Sequence, residues 1–298
     1  MGKREKKCYD GYLVKDLDPV VFLMPHVMPK RTESQIMVDL QFDLEKVENF
    51  IREQKKAGIP DLTLYHFVFA ALARAAFEYP QINRFITRRK IYERRHVKIS
   101  MTVKKSLSLD AVESQIFPTF EKEDNLKDIV DKIKKATDDA LAEADSGSND
   151  FDKLVGILMK IPGCIIGAFV KFILWLDRHG WLPKILLDVQ PFHSSFFVTN
   201  VGSIGMPALY HHLYEFGTCS GFLAMGRKEH VLRINKEGQV EKKKVLPIRF
   251  VGDERICDGY TFSCAFREMN KCFENPERLL MSYSEAVEAK NKKKNKTE

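Results

Sequence analysis

Ile36, Val38, Leu40 and Phe42 alternate with Met37, Asp39 and Gln41, the two-residue period of a half-buried strand. Asp43 then stands at a helix start, with Leu44, Val47, Phe50 and Ile51 on one face and Gly58 as the stop. A second helix is predicted over residues 63–79, ended by Pro80. Its nearly all-apolar, Ala-rich pattern predicts burial, and His66 on it is expected to pack in the core. Residues 82–87 and 90–94 read as a hairpin turned at Arg88-Arg89. Val97, Ile99, Met101 and Val103 alternate as another strand. Leu126, Ile129, Ile133, Ala136 and Ala140 mark an amphipathic helix that ends at the polar loop 146–150. After Pro183 strands return, at residues 196–199 and 221–226. A further hairpin, 231–234 with 240–251, turns at Lys236-Glu237-Gly238. Helices over 260–273 and 276–286 close the pattern, with Pro276 suited to a first turn. Interleaved strands and helices predict a mixed α/β fold, a large mixed sheet with packed helices and strands paired at long range.

Two segments depart from this pattern. Residues 1–34 are polar and turn-rich, and Pro19, Pro25 and Pro29 argue against a helix there. Residues 24–31 are expected as an extended arm. Residues 154–176 are apolar apart from Lys160 and Lys171, with Pro162, Gly163 and Gly167 inside. Two lysines and a Pro-Gly break count against a membrane span. A pair of buried or oligomer-facing helices is the expectation, lining an apolar acyl pocket or a subunit contact. Peripheral contact with a membrane surface is the less favoured alternative.

The composition limits the function classes. The chain has 298 residues with 44% hydrophobic and 30% charged, which is a globular balance. The formal net charge is +7, but part of it sits at the two ends, in Lys3-Arg4-Glu5-Lys6-Lys7 and between Lys290 and Lys296. Charged ends of this kind are usually solvated, so no nucleic-acid role is read from them. The excess remains compatible with an anionic ligand. Cys8, Cys164, Cys219, Cys257, Cys264 and Cys272 form no CxxC pair and no metal-ligand spacing. With no secretory pattern at the N-terminus, they read as reduced thiols of a cytoplasmic protein, and no metal is expected.

Candidate chemistry gathers at residues 251–259, Val-Gly-Asp-Glu-Arg-Ile-Cys-Asp-Gly, between a strand and a helix. Asp258 can cap that helix, and Gly259 can take positive φ at the corner. By itself this is a turn with a cap. The stretch resembles the D-H-R-x-x-D-G signature of the catalytic domain of dihydrolipoyl acyltransferases, the core subunits of 2-oxo acid dehydrogenase complexes. It is also similar to the H-x-x-x-D-G of chloramphenicol acetyltransferase. Asp253, Arg255, Asp258 and Gly259 match, and Glu254 stands where the family has its catalytic His. Residues 196–202, Phe-Phe-Val-Thr-Asn-Val-Gly, resemble F-T-[IV]-[ST]-N-[LV]-G, and the helix ending at Tyr79-Pro80 with Ile82-Asn83 resembles P-x-[LI]-N. The similarity spans residues 31–280.

The resemblance implies a chloramphenicol acetyltransferase-like homotrimer with its active site at the subunit boundary. Coenzyme A or acyl-coenzyme A would enter as a substrate from one side and a small-molecule acceptor from the other. Thr199 would be the oxyanion donor, with Asn200, Gly202 and Gly205 shaping its loop. Glu254 would stand at the base position, where an ordinary carboxylate titrates about two units below a His and is the weaker base. His211 or His212 would be a replacement base, with Glu215 at i,i+4 spacing to orient the ring. The plain alternative is a polar interface loop. Asp258 would pair with an Arg, for which Arg31 is the candidate, though a surface Arg is the simpler reading. The expected organisation is an N-terminal arm (1–30), an acyltransferase-like domain (31–286) with an apolar insertion (151–190), and a basic disordered tail (287–298). Neither a lipoyl-type domain nor an Ala/Pro-rich linker is visible, so the catalytic part is expected to stand alone, with a lipoyl-bearing partner chain as a possible acyl source. Three functions remain open: an acyltransferase, a non-catalytic trimeric scaffold or ligand-binding protein, and membrane-associated lipid binding, which rests only on the apolar segment 154–176.

Overall fold

The longest strand, Val240–Asp253, is the axis on which the rest assembles. A computed structural model describes residues 7–8, 11–104, 113–145, 156, 161–188 and 190–294. In chain order the strands are β1 (Lys7–Cys8), β2 (Gly11–Leu13), β3 (Gln35–Asp43), β4 (Arg84–Thr87), β5 (Lys90–Arg94), β6 (Val97–Lys104), β7 (Glu113–Ile116), β8 (Thr119–Phe120), β9 (Phe196–Asn200), β10 (Gly221–Met225), β11 (Glu229–Ile234) and β12 (Val240–Asp253). The helices are α1 (Pro19–Val27), α2 (Glu45–Lys56), α3 (Leu64–Glu78), α4 (Leu126–Asp145), α5 (Gly163–Arg178), α6 (Lys184–Asp188), α7 (Gly259–Glu274) and α8 (Tyr283–Lys294). The large sheet runs β11-β12-β10-β9-β6-β7, with β3 also paired to β12 and β8 to β6. β9 is parallel to both β10 and β6, while the other pairs are antiparallel, so the sheet is mixed as the pattern predicted. A small sheet, β1-β2-β5-β4, stands apart.

Alternation along the strands divides the large sheet into two faces. Phe196, Val198, Leu223, Phe250 and Phe42 point to the helical side and join the main core with α2, α3, α4 and α7. Phe273 of α7 stacks on Phe42 at 4.3 Å and meets Phe67 of α3 edge-on at 5.1 Å, which ties sheet to helices. Phe197, Phe222 and Val251 point the other way, into a smaller cluster with Leu213 and Cys219. This second face carries the candidate chemistry. Arg94 of β5 links the small sheet to it, donating to the Ser194 and Thr218 carbonyls, each at 2.9 Å.

Several expectations are corrected. Residues 19–27 form a helix despite Pro25, because Pro19 occupies the first turn and Asp18 caps it through Val20 N at 2.8 Å. Pro25 lies in the last turn, so the hydrogen bond it cannot donate disrupts little of the helix. The helix expected over 276–286 is split into a 3-10 turn, Pro276–Leu279, and α8, which runs to Lys294 across part of the segment expected as a tail. The apolar stretch yields α5, whose only buried side chain is Asp177. It is exposed in the single chain, which removes the buried alternative and leaves the oligomer-facing one open, because an apolar run does not itself determine what covers it. The first part of the expected pair, 154–160, lies outside the described residues apart from Gly156. Among the described residues no helix is long and apolar enough to cross a membrane.

His66 is half-buried at the edge of the core and serves as the N3 residue of a capping box. Thr63 Oγ1 accepts from His66 N, and His66 Nδ1 accepts from Thr63 N at 3.1 Å. Burial holds its pKa down at about 4, with Asp61 offsetting part of the shift. The unfolded ring titrates near 6.5, so the unfolded chain binds more protons between these values. Stability from the neutral ring is complete above pH 6.5 and is lost as pH falls toward 4. His66→Gln is expected to flatten that segment of the stability-pH curve by about 2 kcal/mol, allowing for partial exposure. Urea melts at pH 4.5 and 7 on both proteins measure it.

Candidate active site

Strand register places the expected residues in three rows on the second face. Thr199, Ala224 and Arg249 are paired across β9, β10 and β12, and Asp39 of β3 continues the row. Two residues along, Phe197, Phe222 and Val251 form the next row. Asp253 is two residues beyond Val251, at the end of β12, where its N–H donates to Ser220 O at 3.0 Å. At about 3.3 Å per residue and 4.8 Å between strands, Thr199 and the Asp253-Glu254 corner lie roughly 16 Å apart.

Asp253 is fully buried, and it is the centre of a charged cluster that the sequence did not foretell. Its carboxylate accepts from Arg255 Nε at 2.8 Å, Arg255 Nη2 at 2.7 Å and Ser34 Oγ at 3.0 Å. Arg31 Nε is 3.7 Å from Oδ2, an ion pair without a hydrogen bond. The Arg31 guanidinium also donates to the carbonyls of Tyr214 and Gly217, and Arg255 Nη1 to Met28 O at 2.8 Å. Arg31 is therefore buried, not a surface residue, and its acidic partner is Asp253, not the expected Asp258. Asp258 is exposed and caps α7 through Thr261 N at 2.7 Å. Gly259 has no positive φ and open space around it, so the corner does not need its glycine for backbone conformation. Glu254 is half-buried, its N–H held by Ser34 O at 2.9 Å.

At the other end, β9 stops in a tight 3-10 turn, Val201–Ile204. Asn200 Oδ1 accepts from Ser203 N at 3.2 Å, and Gly205 closes the turn at φ 79°. A Cβ on Gly202 would stand 2.3 Å from Gly226 O, so close approach of two backbones requires glycine there. Thr199 is half-buried just before this turn. Farther along the same row Arg249 Nε meets Asp39 at 2.9 Å, and the Tyr210 hydroxyl donates to the same carboxylate. That bond raises the Tyr210 pKa.

The 206–214 segment crosses this face without helix. His211 stacks on Phe222 at 4.1 Å, over the middle row, between the Thr199 row and the acidic corner. Its Nδ1 lies 2.8 Å from His212 O, which fits a tautomer with the lone pair on Nε2. His212 is exposed and stacks on His211 at 4.6 Å. Glu215 does not orient either ring, because its carboxylate accepts from Thr32 N at 2.8 Å. Burial pushes the Cys257 thiol up to about 12 and Cys272 to about 11, so neither supplies a thiolate near neutral pH. Among the described residues no group of three His, Cys, Asp or Glu is arranged to hold a metal ion.

One further polar pair was not foreseen. His193 Nε2 is 2.7 Å from Asp177 Oδ1, both buried, and Asp177 Oδ2 accepts from Gly217 N at 2.8 Å. No local signal joins residues 16 and 40 apart in sequence. The pair fastens the end of α5 to the loop that also receives Arg31.

The architecture, a mixed sheet with helices on one face and the three rows on the other, is the chloramphenicol acetyltransferase-like fold. Residues 188–281, from the end of α6 through α7, match the family described as 2-oxoacid dehydrogenases acyltransferase (catalytic domain). Among solved structures the chain is similar to a probable dihydrolipoamide acetyltransferase from Listeria monocytogenes 4b F2365, at 16% identity and TM-score 0.53, over 88% of this chain and 94% of that one. It is similar to the cubic core of a pyruvate dehydrogenase multienzyme complex at 13% identity and TM-score 0.54, over 90% and 94%. A chloramphenicol acetyltransferase matches at 12% identity and TM-score 0.50, over 88% and 98%. No curated protein matches in sequence.

Proposed function

We propose that this protein is a coenzyme A-dependent acyltransferase that works as a homotrimer on a small-molecule acceptor. The observation that carries the reading is the separation of its parts. Thr199, with its rigid turn, and Glu254, with its buried arginine cluster, stand at opposite ends of one sheet face. A distance of about 16 Å is too long for one tetrahedral centre to touch both, so they act together only across a boundary between copies. In that arrangement a base takes the proton of the acceptor as it attacks the thioester carbonyl. The Thr199 hydroxyl donates to the oxyanion, and collapse expels the coenzyme A thiolate, which recovers the proton from the base. Glu254 is the base by position. His211 is the second candidate, since its Nδ1 is engaged by His212 O, which leaves a lone-pair nitrogen, Nε2, on the same face. A lipoyl-bearing partner chain is the alternative acyl donor, with the coenzyme A thiol then the attacking nucleophile, by analogy with a dihydrolipoamide acetyltransferase.

Calorimetry with coenzyme A and acetyl-coenzyme A tests the reading. Micromolar binding at one site per chain is expected. In an acyl-transfer assay Thr199→Val should lower kcat by about 10²–10³ with little change in coenzyme A affinity. Loss of rate in Glu254→Gln but not in His211→Gln assigns the base to Glu254, and the reverse assigns it to His211. A second reading, a non-catalytic trimeric scaffold, is favoured by the carboxylate itself, which adds negative charge where an oxyanion must form. Absence of binding at millimolar ligand would decide for the scaffold.

A further inference from the structure

Helix α5 presents aromatic and aliphatic side chains to solvent. Ile165 is 55% exposed, Phe172 54%, Trp175 45% and Phe169 43%. At 3.6 residues per turn these four fall in one outward sector, and Lys171 and Arg178, seven residues apart, lie along its border. Trp181, 55% exposed, sits edge-on to Trp175 at 5.3 Å and extends the patch past the helix end. The exposed charges over residues 163–184 are all positive among the described side chains: Lys171, Arg178 and Lys184. The one described carboxylate of that stretch, Asp177, is buried against His193 and Gly217 N. Arg88, at the exposed β4–β5 turn, donates to His179 O and lies 6.0 Å from the Trp181 ring.

We propose that α5 is a membrane-surface anchor, seated in the interface of a bilayer that contains anionic phospholipid. This goes beyond the acyl-transfer reading and does not depend on it. With 16 residues the helix is about 24 Å long, short of the roughly 30 Å hydrocarbon core, so it lies on the surface. The aromatic sector enters the headgroup-acyl boundary, where tryptophan is favoured, and the basic border meets lipid phosphates. Charge counts against a two-fold pairing of this face with itself as the occupant. A self-facing contact would bring Lys171 and Arg178 of both copies together with no exposed carboxylate on the segment to pair them. The Asp177–His193 bond holds the helix end rigid, so the patch is presented by the folded chain.

The chain has two tryptophans, and both are in this patch, so its fluorescence reports on the patch alone. The full chain is mixed with phosphatidylcholine vesicles with and without 30% phosphatidylserine, and scored by flotation and by emission maximum. Flotation and a blue shift only with phosphatidylserine, both reduced by 0.5 M salt, are expected. Phe169→Ser with Phe172→Ser, and separately Lys171→Glu with Arg178→Glu, should each lower vesicle partitioning at least tenfold while the thermal midpoint stays unchanged. These side chains are exposed, so folding is not at stake. No flotation on anionic vesicles overturns the proposal, and so does flotation without an emission shift. Loss of self-association in the Phe169/Phe172 variant, with no vesicle binding by the parent, assigns the patch to a second copy instead.

Discussion

Replacing Asp253 by Ala is expected to lower folding stability by about 3–5 kcal/mol, the cost of breaking a buried ion pair from one side. The carboxylate is the single anion among Arg31, Arg255 and Ser34, and none of these side chains is solvated enough to compensate. Without it, Arg255 retains the Met28 carbonyl and Arg31 retains those of Tyr214 and Gly217, but two guanidinium charges lose their counter-ion in a dry site. Asp253→Asn should fall between parent and Ala, because the amide keeps one acceptor and loses the charge. Arg31→Met should cost less than Asp253→Ala, since the bidentate Arg255 contact survives. Urea melts of the three variants give the order. A loss under about 1 kcal/mol for Asp253→Ala would show that the cluster is hydrated. The same substitution should also weaken coenzyme A binding if Glu254 faces the ligand, because Ser34 fixes both residues.

The second large effect is expected from Gly217→Ala. Gly217 has φ 85°, and a Cβ there would lie 2.3 Å from Phe192 O and 2.6 Å from its carbonyl carbon. Left-handed backbone costs a residue with a side chain about 1 kcal/mol, and a clash with main chain has no flexible group to yield. The displaced loop would strain two buried links, Gly217 N to Asp177 at 2.8 Å and Arg31 Nη2 to Gly217 O at 3.1 Å. A total loss of about 3 kcal/mol or more is expected, with a change in tryptophan emission as the end of α5 shifts. Gly259→Ala is the contrast. It has ordinary φ and open space at the first position of α7, so it should be neutral or stabilise by up to about 1 kcal/mol. A chemical melt of both variants separates the required glycine from the permissive one.

Local physics made much of this protein legible in its sequence. The alternation from Ile36 to Phe42 became β3, because a period of two has one structural solution with a buried face. Arg88 and Arg89 both adopt positive φ, at 52° and 57°, at the turn expected for them. Asp258 caps α7, since an Asp before a helix satisfies its own neighbours' N–H groups. The Asn200–Gly205 turn is likewise closed by hydrogen bonds between near neighbours, while its Gly202 is required by the distant Gly226 backbone. What tertiary structure alone decided are partnerships across long separations. Arg31 met Asp253 and not Asp258, because β3 pairs β12 in a register that brings residue 35 opposite residue 253. His211 lies between Thr199 and the acidic corner because Phe222 offers it a ring, and Glu215 was drawn away to Thr32 N. The outward face of α5 was the least legible feature. Hydrophobicity states that Phe169, Phe172 and Trp175 avoid water, and only the surrounding fold shows that this chain leaves them uncovered.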